Sequence, residues 1–236
     1  MTTVKRRMGE LAALYCLPDG SVRQLSALLE LLAEDPSAPT AVRNRAQILD
    51  DHLADALVAL RLDPVRAAAT VADIGSGAGV PGLPLAIAKP SASFALVESN
   101  GRKCAFIARA VAGCGLRNAQ VVNARVEEWK DGLGRYELVT ARALAPLAVV
   151  AEYAAPLLIE GGRLIAWRGM RDPAAEAAAT VAAKQLGLTS VAVHPVRPYS
   201  GARWRHLHVL LKDGRTPPGF PRRPGMARKR PLGQRG

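Results

Sequence analysis

The sequence predicts an α/β fold, in which N-terminal helices precede a mostly parallel, doubly wound sheet with an antiparallel edge. Short apolar runs alternate with apolar residues at helical spacing through the middle of the chain, which is typical of parallel strands joined by crossover helices. A glycine-rich stretch links the first of these strands to its helix. The 236 residues, 49% of them hydrophobic, are enough to bury one sizeable core.

Two elements are expected before the sheet. Residues 1–20 show no sustained periodicity and are predicted to be irregular up to the turn at 18–20. Apolar residues recur at helical spacing over 21–34, which predicts a helix with Ser21 as its N-cap. A second helix is expected over about 44–62.

The strands and helices of the sheet follow in alternation. Strands are expected over 71–74, 93–97, 119–122, 137–140 and 163–167. Helices are expected over 104–111, 147–158 and 173–186. Two further runs, 191–194 and 205–211, are joined by a loop and predict an antiparallel pair at the edge of the sheet.

The glycine-rich stretch is the strongest motif in the chain. Residues 71–85 read Val-Ala-Asp-Ile-Gly-Ser-Gly-Ala-Gly-Val-Pro-Gly-Leu-Pro-Leu, in the order strand, tight loop, helix. Glycine suits such a loop because it permits positive φ angles and lets a ligand approach the backbone. The loop contains three alternate glycines, Gly75, Gly77 and Gly79. The alternative is a glycine-rich turn that only allows a strand and a helix to pack closely.

The residues around the glycines favour S-adenosylmethionine (SAM) as the ligand. A dinucleotide loop needs a third glycine where this chain has Val80, and Pro81 and Pro84 remove N–H donors that would hold a pyrophosphate. SAM contains no phosphate. Asp73, two residues before the first glycine, completes a pattern typical of SAM enzymes.

Further candidate residues follow the other strands. The carboxyl ends of parallel strands meet at one edge of the sheet, where ligands bind. Glu98 ends the second strand, where its carboxylate can accept both ribose hydroxyls, and Val126 and Glu127 follow the third strand, beside the expected adenine. Arg142 and Arg168 follow the fourth and fifth strands. The alternatives are a helix N-terminal charge for Glu127 and ordinary solvated surface charges for the arginines.

Composition narrows the classes of partner and compartment. The formal net charge of +12 favours a polyanion such as nucleic acid, although an arginine-rich surface is the alternative explanation. Three cysteines without Cys-x-x-Cys spacing indicate neither a disulfide framework nor a zinc site, so no metal is expected and a reducing cytoplasm is predicted. No run is long enough for a membrane span, and the basic N-terminus lacks a cleavage site.

The C-terminal tail has a different composition. From Lys212 it carries eight basic residues, Asp213 as its acidic residue, and five prolines, which predicts a flexible tail that does not pack into a core. The functional interpretation is an RNA-binding arm, and the alternative is a solvated tail. Truncation at Lys212 is expected to weaken RNA binding and leave SAM affinity intact. The predicted division of the chain is 1–62, 63–212 and 213–236.

Several segments together resemble a known family, the ribosomal RNA small-subunit methyltransferase G family, also called glucose-inhibited division protein B. The segments are 73–82, His52-Leu-Ala-Asp55, Arg125-Val-Glu-Glu128, Thr140-Ala-Arg-Ala143 and Arg205-His206-Leu207. The similarity covers about 44–212. The sequence departs from the family pattern at Arg168-Gly169, where Lys-Gly is common. It also lacks an aromatic Trp-Asn type segment around residues 30–40.

The resemblance implies a Rossmann-like SAM methyltransferase fold and methylation of one guanine of 16S rRNA at N7. It implies SAM contacts by Gly75, Val80, Val126, Glu127 and Arg142. The expected partner is 16S rRNA or the 30S subunit, and the protein is expected to be a monomer. Alternatives are a SAM methyltransferase for another RNA or a small molecule, and a ribosome-associated RNA-binding factor without methyl transfer.

The substrate side is predicted from the same segments. Guanine N7 carries an exposed lone pair, so no general base is required and no catalytic residue is assigned. Candidates for holding guanine or flanking phosphates are His52, Arg168, Arg205 and His206, with Arg142 serving SAM, RNA or both. His52 and Asp55 lie three positions apart on one helical face and are close enough to hydrogen-bond; surface decoration is the alternative for this pair.

Overall fold

Seven strands form one sheet within residues 3–233, the part of the chain that the computed structural model describes. They are β1 (Thr70–Ile74), β2 (Ser93–Glu98), β3 (Ala119–Asn123), β4 (Tyr136–Arg142), β5 (Leu158–Arg168), β6 (Leu188–Val196) and β7 (Arg205–Lys212). Their spatial order is β3-β2-β1-β4-β5-β7-β6. The first five are parallel, and β7 runs antiparallel to both β5 and β6. The predicted mostly parallel sheet with an antiparallel edge is therefore confirmed.

Helices connect and flank the strands. They are α1 (Thr3–Leu14), α2 (Ser21–Glu34), α3 (Arg45–Ile48), α4 (Asp55–Leu57), α5 (Asp63–Ala67), α6 (Gly82–Ala88), α7 (Gly101–Gly113), α8 (Leu147–Ala154), α9 (Pro173–Gln185) and α10 (Met226–Lys229). Each strand and helix predicted after residue 70 occurs, with ends that shift by a few residues. Strands and helices are local patterns of period 2 and 3.6, so the sequence carries them directly.

The sheet separates two apolar cores because successive side chains of a strand point to opposite faces. On one face, Phe94 and Leu96 of β2 pack with α2, α6 and α7. On the other face, Ala95 and Val97 of the same strand pack with α8 and α9. The N-terminal helices share the first core with the sheet, and the division of the chain at residue 62 remains a prediction.

The N-terminal prediction is wrong in two respects. Residues predicted to be irregular form α1, whose Met8 is buried in the first core; an Arg6–Glu10 pair one turn apart adds polar residues that obscure its apolar spacing. Ser21 is the first helical residue of α2 and not its N-cap. Gly20 holds that position with a φ of 86°, and the Ser21 hydroxyl has no hydrogen-bond partner.

The helix expected over about 44–62 is a continuous run of changing pitch, called the composite helix here (residues 45–61). Asn44 is its N-cap, accepting a hydrogen bond from Gln47 N at 3.1 Å. Between α3 and α4, Leu49–Ala54 widens into a π-helical turn, and Val58–Arg61 tightens into a 3-10 turn. π-helical turns inside α-helices are frequent at functional sites, and this one carries His52.

The basic tail packs onto the domain, so the prediction that it cannot contribute to a core is wrong as far as Gly233. Arg222 forms a two-pronged ion pair with the buried Glu152 of α8, at 2.8 and 2.6 Å. Ala227 of α10 is buried, and Phe220 and Leu232 pack against the second core. Arg235, counted among the basic tail residues, lies outside the described residues.

Candidate active site

A cavity of about 570 Å³ lies beyond the carboxyl ends of the central parallel strands. The chain turns in opposite directions from β1 and β4, and such a switch point leaves a crevice between the two outgoing loops. All seven predicted cofactor residues line this cavity: Gly75, Gly77, Val80, Glu98, Val126, Glu127 and Arg142. The topology thus brings them together, and their individual roles remain predictions.

The glycine loop forms one wall of the cavity. Gly75, Gly77 and Gly79 have φ angles of 67°, 59° and 78°, which glycine adopts without strain. At Gly79 a Cβ would lie 2.3 Å from Cδ1 of the buried Leu83, which would have to move. At Gly77 a Cβ would meet only Gly75 O, at 3.8 Å. The loop is therefore closed toward the helix α6 and open beside Gly77.

Glu98, at the end of β2, is hydrogen-bonded to the glycine loop. One carboxylate oxygen accepts the Gly77 N–H at 3.1 Å, and the other accepts the Asn100 N–H at 2.9 Å. The side chain is largely buried but lines the cavity. A carboxylate has about four acceptor positions, so Glu98 keeps capacity for ligand hydroxyl groups while two backbone amides hold it in place.

Asp73 supports the loop from beneath and does not line the cavity. Its carboxylate is fully buried and accepts hydrogen bonds from Thr140 Oγ1 at 2.8 Å and Gly82 N at 3.2 Å. Burial raises the pKa of this carboxyl to about 6, although the hydrogen bonds oppose the shift. Asp73 therefore joins β1, β4 and the start of α6 and holds the loop in shape.

Arg142, at the end of β4, is held by the composite helix. Its Nη1 donates to Asp51 O at 2.6 Å and to Asp55 Oδ2 at 2.9 Å. Its Nη2 lies 3.3 Å from His52 Nδ1. The predicted His52–Asp55 contact is thus replaced by a shared contact with Arg142, which fixes the guanidinium at the cavity wall.

His52 has both ring nitrogens engaged. Burial and the Arg142 charge lower the pKa of the imidazole, which favours the neutral ring. Because Arg142 can only donate, Nδ1 is the acceptor, and Nε2 then donates to Thr40 Oγ1 at 2.9 Å. His52 lines the cofactor cavity and, on these contacts, positions Arg142.

A second groove of about 270 Å³ adjoins the cavity and contains the other predicted substrate residues, Arg168, Arg205 and His206. Arg168 and His206 are paired across β5 and β7. Arg205 lies 3.4 Å from Asp51 Oδ1 and 3.5 Å from Asp55 Oδ1. Of the four substrate candidates, three lie in this groove and His52 lies in the cavity.

Arg142 and Ala143 line both the cavity and the groove. Ala143 has a φ of 53°, a conformation that costs a non-glycine residue free energy and is found disproportionately at functional sites. The turn after β4 therefore lies between the cavity and the groove. A ligand in the cavity and a ligand in the groove would be adjacent at this turn.

Several lining residues escaped the sequence interpretation: Thr40, Lys103, Leu144, Tyr153, Gly225 and Arg228. Asp51 in the groove was also missed. Thr40 precedes the sheet and Gly225 follows it, so the rule that sites gather at strand ends does not reach them. The apolar residues Phe220, Ala227 and Leu232 among the tail prolines were the available signal that this segment packs.

The cavity suits SAM. Its volume falls within the range of about 300–1,000 Å³ that is usual for small-molecule sites. Glu98 and Glu127 provide acceptors for hydroxyl and amino groups, and Val126 provides an apolar surface for a ring. Lys103 and Arg125 line the same cavity and can pair with a carboxylate.

The comparisons with known proteins agree with this geometry. The family model GidB, described as rRNA small subunit methyltransferase G, matches residues 22–198. The protein called ribosomal RNA small subunit methyltransferase G in Chloroflexus aggregans is 43% identical over 197 residues, or 82% of each chain. Its namesake in Pelotomaculum thermopropionicum is 36% identical over 222 residues, or 92% of each chain. The chain belongs to the rRNA small subunit methyltransferase G family.

Membership of the rRNA small subunit methyltransferase G family confirms the predicted enzyme class, with SAM as the methyl donor. Among solved structures, the S-adenosylmethionine-dependent methyltransferase SibL superposes with a TM-score of 0.55 at 16% identity. The match covers 67% of this chain and 55% of SibL. At this identity the likeness shows the fold alone, which is the predicted Rossmann-like fold.

Residues 3–233 contain neither a metal-binding cluster nor a membrane-spanning helix. In that part of the chain, no group of three or more His, Cys, Asp and Glu side chains is arranged to hold a metal ion. The helices described there also fall short of the length and apolar character needed to cross a bilayer.

Proposed function

We propose that this protein transfers a methyl group from SAM to N7 of one guanine in 16S rRNA. The supporting observation is that the cavity and the second groove, which contains Arg168 and Arg205, share Arg142 and Ala143. A base held in the groove can therefore present an edge to a ligand in the cavity. The relatives' name, ribosomal RNA small subunit methyltransferase, supports small-subunit rRNA as the substrate.

In this proposal the cavity residues bind and orient the cofactor. Glu98, already held by two backbone amides, accepts the ribose hydroxyls. Val126 packs on the adenine face, and Glu127 accepts from its amino group. Each of these side chains is positioned before the ligand arrives, which lowers the entropic cost of binding.

The proposed reaction requires correct placement of the reacting atoms and does not require a general base. SAM supplies an electrophilic methyl group on its sulfonium. Guanine N7 would attack this methyl carbon through its own lone pair as the carbon–sulfur bond breaks and S-adenosylhomocysteine leaves, so no proton has to be removed first. His52 is consistent with this, because its nitrogens are committed to Arg142 and Thr40. Alignment of the reacting atoms alone can supply about 7–11 kcal/mol of the barrier reduction.

The groove residues hold the RNA. Arg168, Arg205 and His206 can contact guanine or the flanking phosphates, which position the strand in RNA complexes. Arg205 is paired at more than 3 Å with Asp51 and Asp55; these long contacts leave its guanidinium free to exchange partners.

The proposal also covers the oligomeric state of the protein, its partner and the compartment in which it acts. The net charge of +12 favours an RNA partner, and we propose a monomer acting on 16S rRNA in the 30S subunit. We place it in the cytoplasm, since its three cysteines are free. Burial raises the pKa of the Cys114 thiol to about 11, which keeps that group protonated and unreactive.

The test is methyl transfer from labelled SAM to 30S subunits isolated from a strain that lacks this gene. We expect incorporation into one nucleotide, identified by mass spectrometry as 7-methylguanosine, with naked 16S rRNA as the parallel substrate. A different modified base would contradict the position. SAM binding without incorporation would support the RNA-binding factor, and incorporation into other RNA alone would contradict the substrate.

A further inference from the structure

The C-terminal segment (residues 213–233) borders the cofactor cavity. Gly225 and Arg228 line the cavity together with residues of the glycine loop and the β3 and β4 ends. Both lie outside residues 22–198, the part matched by the family model. The segment was expected to be a flexible arm, so its place at the cavity has no counterpart in the sequence interpretation.

The segment is anchored on the side that faces the domain. Glu152 of α8 is buried and receives three hydrogen bonds from Arg222, two through the guanidinium and one from the backbone N–H. Ala227 is buried, and Phe220 and Leu232 pack against the same core. These contacts set the position of the residues between them, 223–231, against the cavity.

The anchored residues hold three parts of the cavity wall. Gly225, with a φ of 79°, donates its N–H to Glu127 Oε1 at 3.0 Å. Arg228 Nη2 donates to Leu144 O at 2.8 Å, at the turn after β4. Tyr153 of α8 also lines the cavity. Burial and the Glu127 charge raise the pKa of its hydroxyl, and the nearby Arg228 opposes the shift.

We propose that the C-terminal segment is part of the SAM-binding site. Gly225 orients the Glu127 carboxylate, which is the acceptor proposed for the adenine amino group. Arg228 joins Leu144 and Tyr153 into one wall and acts as a positioning residue. SAM affinity then depends on the segment, in contrast to the expectation that truncation at Lys212 leaves it intact.

The decisive comparison is Arg228→Ala against Arg223→Ala, with SAM affinity measured by isothermal titration in the absence of RNA. Both arginines are exposed residues of the segment and both changes remove one positive charge, but Arg223 does not line the cavity. We expect the dissociation constant of SAM to rise about tenfold for Arg228→Ala, or about 1.4 kcal/mol. For Arg223→Ala it should stay within about twofold of the full-length protein, as is usual for surface changes.

If charge alone determined SAM affinity, Arg228→Ala would bind SAM more tightly. SAM carries a net positive charge, so losing a nearby arginine strengthens its binding through simple Coulomb repulsion. Equal or tighter SAM binding by Arg228→Ala would overturn the proposal. Equal losses in both variants would overturn it as well.

Hydrogen exchange on the unmodified protein provides a second test that does not depend on a variant folding. If SAM and the segment stabilise each other, a saturating SAM product such as S-adenosylhomocysteine must slow exchange of the segment's amides. We expect the Gly225 amide and those of α10 to exchange more slowly, with unchanged exchange in α1. Unchanged exchange at Gly225 would overturn the proposal. Neither readout uses RNA, so failure here is distinct from failure of the proposed methylation.

Discussion

At the residue scale, Arg142 shows how a single side chain joins distant parts of the chain. It contacts three polar groups within about one turn of the composite helix, Asp51 O, His52 and Asp55. Asp55 is buried and Arg142 is its closest cation. A planar guanidinium with several donors can satisfy all three acceptors, whereas a lysine ammonium is a point charge.

We therefore predict that Arg142→Lys impairs methyl transfer although it retains the charge. The expected loss in kcat/KM on 30S subunits is about a hundredfold, or about 2.7 kcal/mol. Arg163→Lys, within β5 beside Leu138 near the start of β4, is the matched control and should leave the rate unchanged. A decrease of less than about threefold for Arg142→Lys would contradict this role.

Asp73 predicts a pH dependence of stability. Its pKa in the folded protein is about 6, above the ordinary value of 3.8. The folded state thus binds this proton more tightly than the unfolded chain, so its contribution favours folding below pH 4 and is lost as the pH rises to 6. Relative to Asp73→Asn, the wild-type free energy of unfolding should fall by about 2 kcal/mol between pH 4 and pH 7.

Urea unfolding of both proteins across that pH range measures this difference, because groups common to both cancel. Asp35, whose pKa is lowered to about 2 chiefly by hydrogen bonds from Ser37, changes charge below this window. A constant difference between wild type and Asp73→Asn would mean that Asp73 is ionised with an ordinary pKa.

At the scale of elements, the composite helix and the C-terminal segment each hold part of the site. The composite helix holds Arg142, and the C-terminal segment holds Glu127 and Leu144. Each is attached through a buried carboxylate, Asp55 in one case and Glu152 in the other. Both elements lie outside the β/α alternation that predicts the sheet.

The Glu152–Arg222 pair should be the main attachment of the C-terminal segment. Removing one member of a buried ion pair leaves an uncompensated charge, at a cost of about 3–5 kcal/mol. Since Arg222 is partly exposed, we predict a loss of about 3 kcal/mol for Arg222→Ala in urea unfolding. Arg223→Ala should lie within about 0.5 kcal/mol of wild type, as expected for a surface residue.

Glu152→Gln distinguishes the ion pair from simple packing. It removes the buried charge, so combining it with Arg222→Ala should recover part of the stability lost by Arg222→Ala alone. Additive losses in the double variant would contradict a direct interaction between the two side chains.

At the scale of the whole molecule, the charge distribution gives the C-terminal segment two faces. Its anchored side packs on the second core, while Arg223, Lys229 and Arg230 are exposed. These cations lie in the same segment as the cavity residues Gly225 and Arg228. A folded basic surface beside the cofactor replaces the flexible arm as the hypothesis for RNA contact.

We predict that changing Arg223, Lys229 and Arg230 together to Gln weakens RNA binding and its salt dependence. Each lost contact with single-stranded RNA lowers the slope of log K against log salt by about 0.7, so the maximum change is about 2. The control replaces Arg117, Arg135 and Arg163. Arg117 and Arg135 precede β3 and β4, and Arg163 of β5 pairs with Leu138 near the start of β4. Equal effects of the two triple variants would indicate a response to net charge alone.

How far the sequence predicts this protein differs between the sheet and the elements around it. The glycine loop, Glu98 and the strand ends were predictable because their patterns span fewer than about 20 residues and follow backbone periodicity. The helix α1 was missed because polar residues interrupt its apolar spacing. The C-terminal segment was misjudged because its proline and charge content is typical of disorder, while three apolar residues and the Arg222–Glu152 ion pair dock it.

By itself, the sequence determined the α/β class, the cofactor loop and the family resemblance, since local spacing and residue type encode them. Only the tertiary structure decided how Arg142 is held, across 87 residues to Asp55, and that Gly225 meets Glu127 across 98 residues. Such contacts depend on where two surfaces dock, and docking is set by packing over the whole core. The residue pattern within a single segment therefore does not reveal which distant residue it will contact.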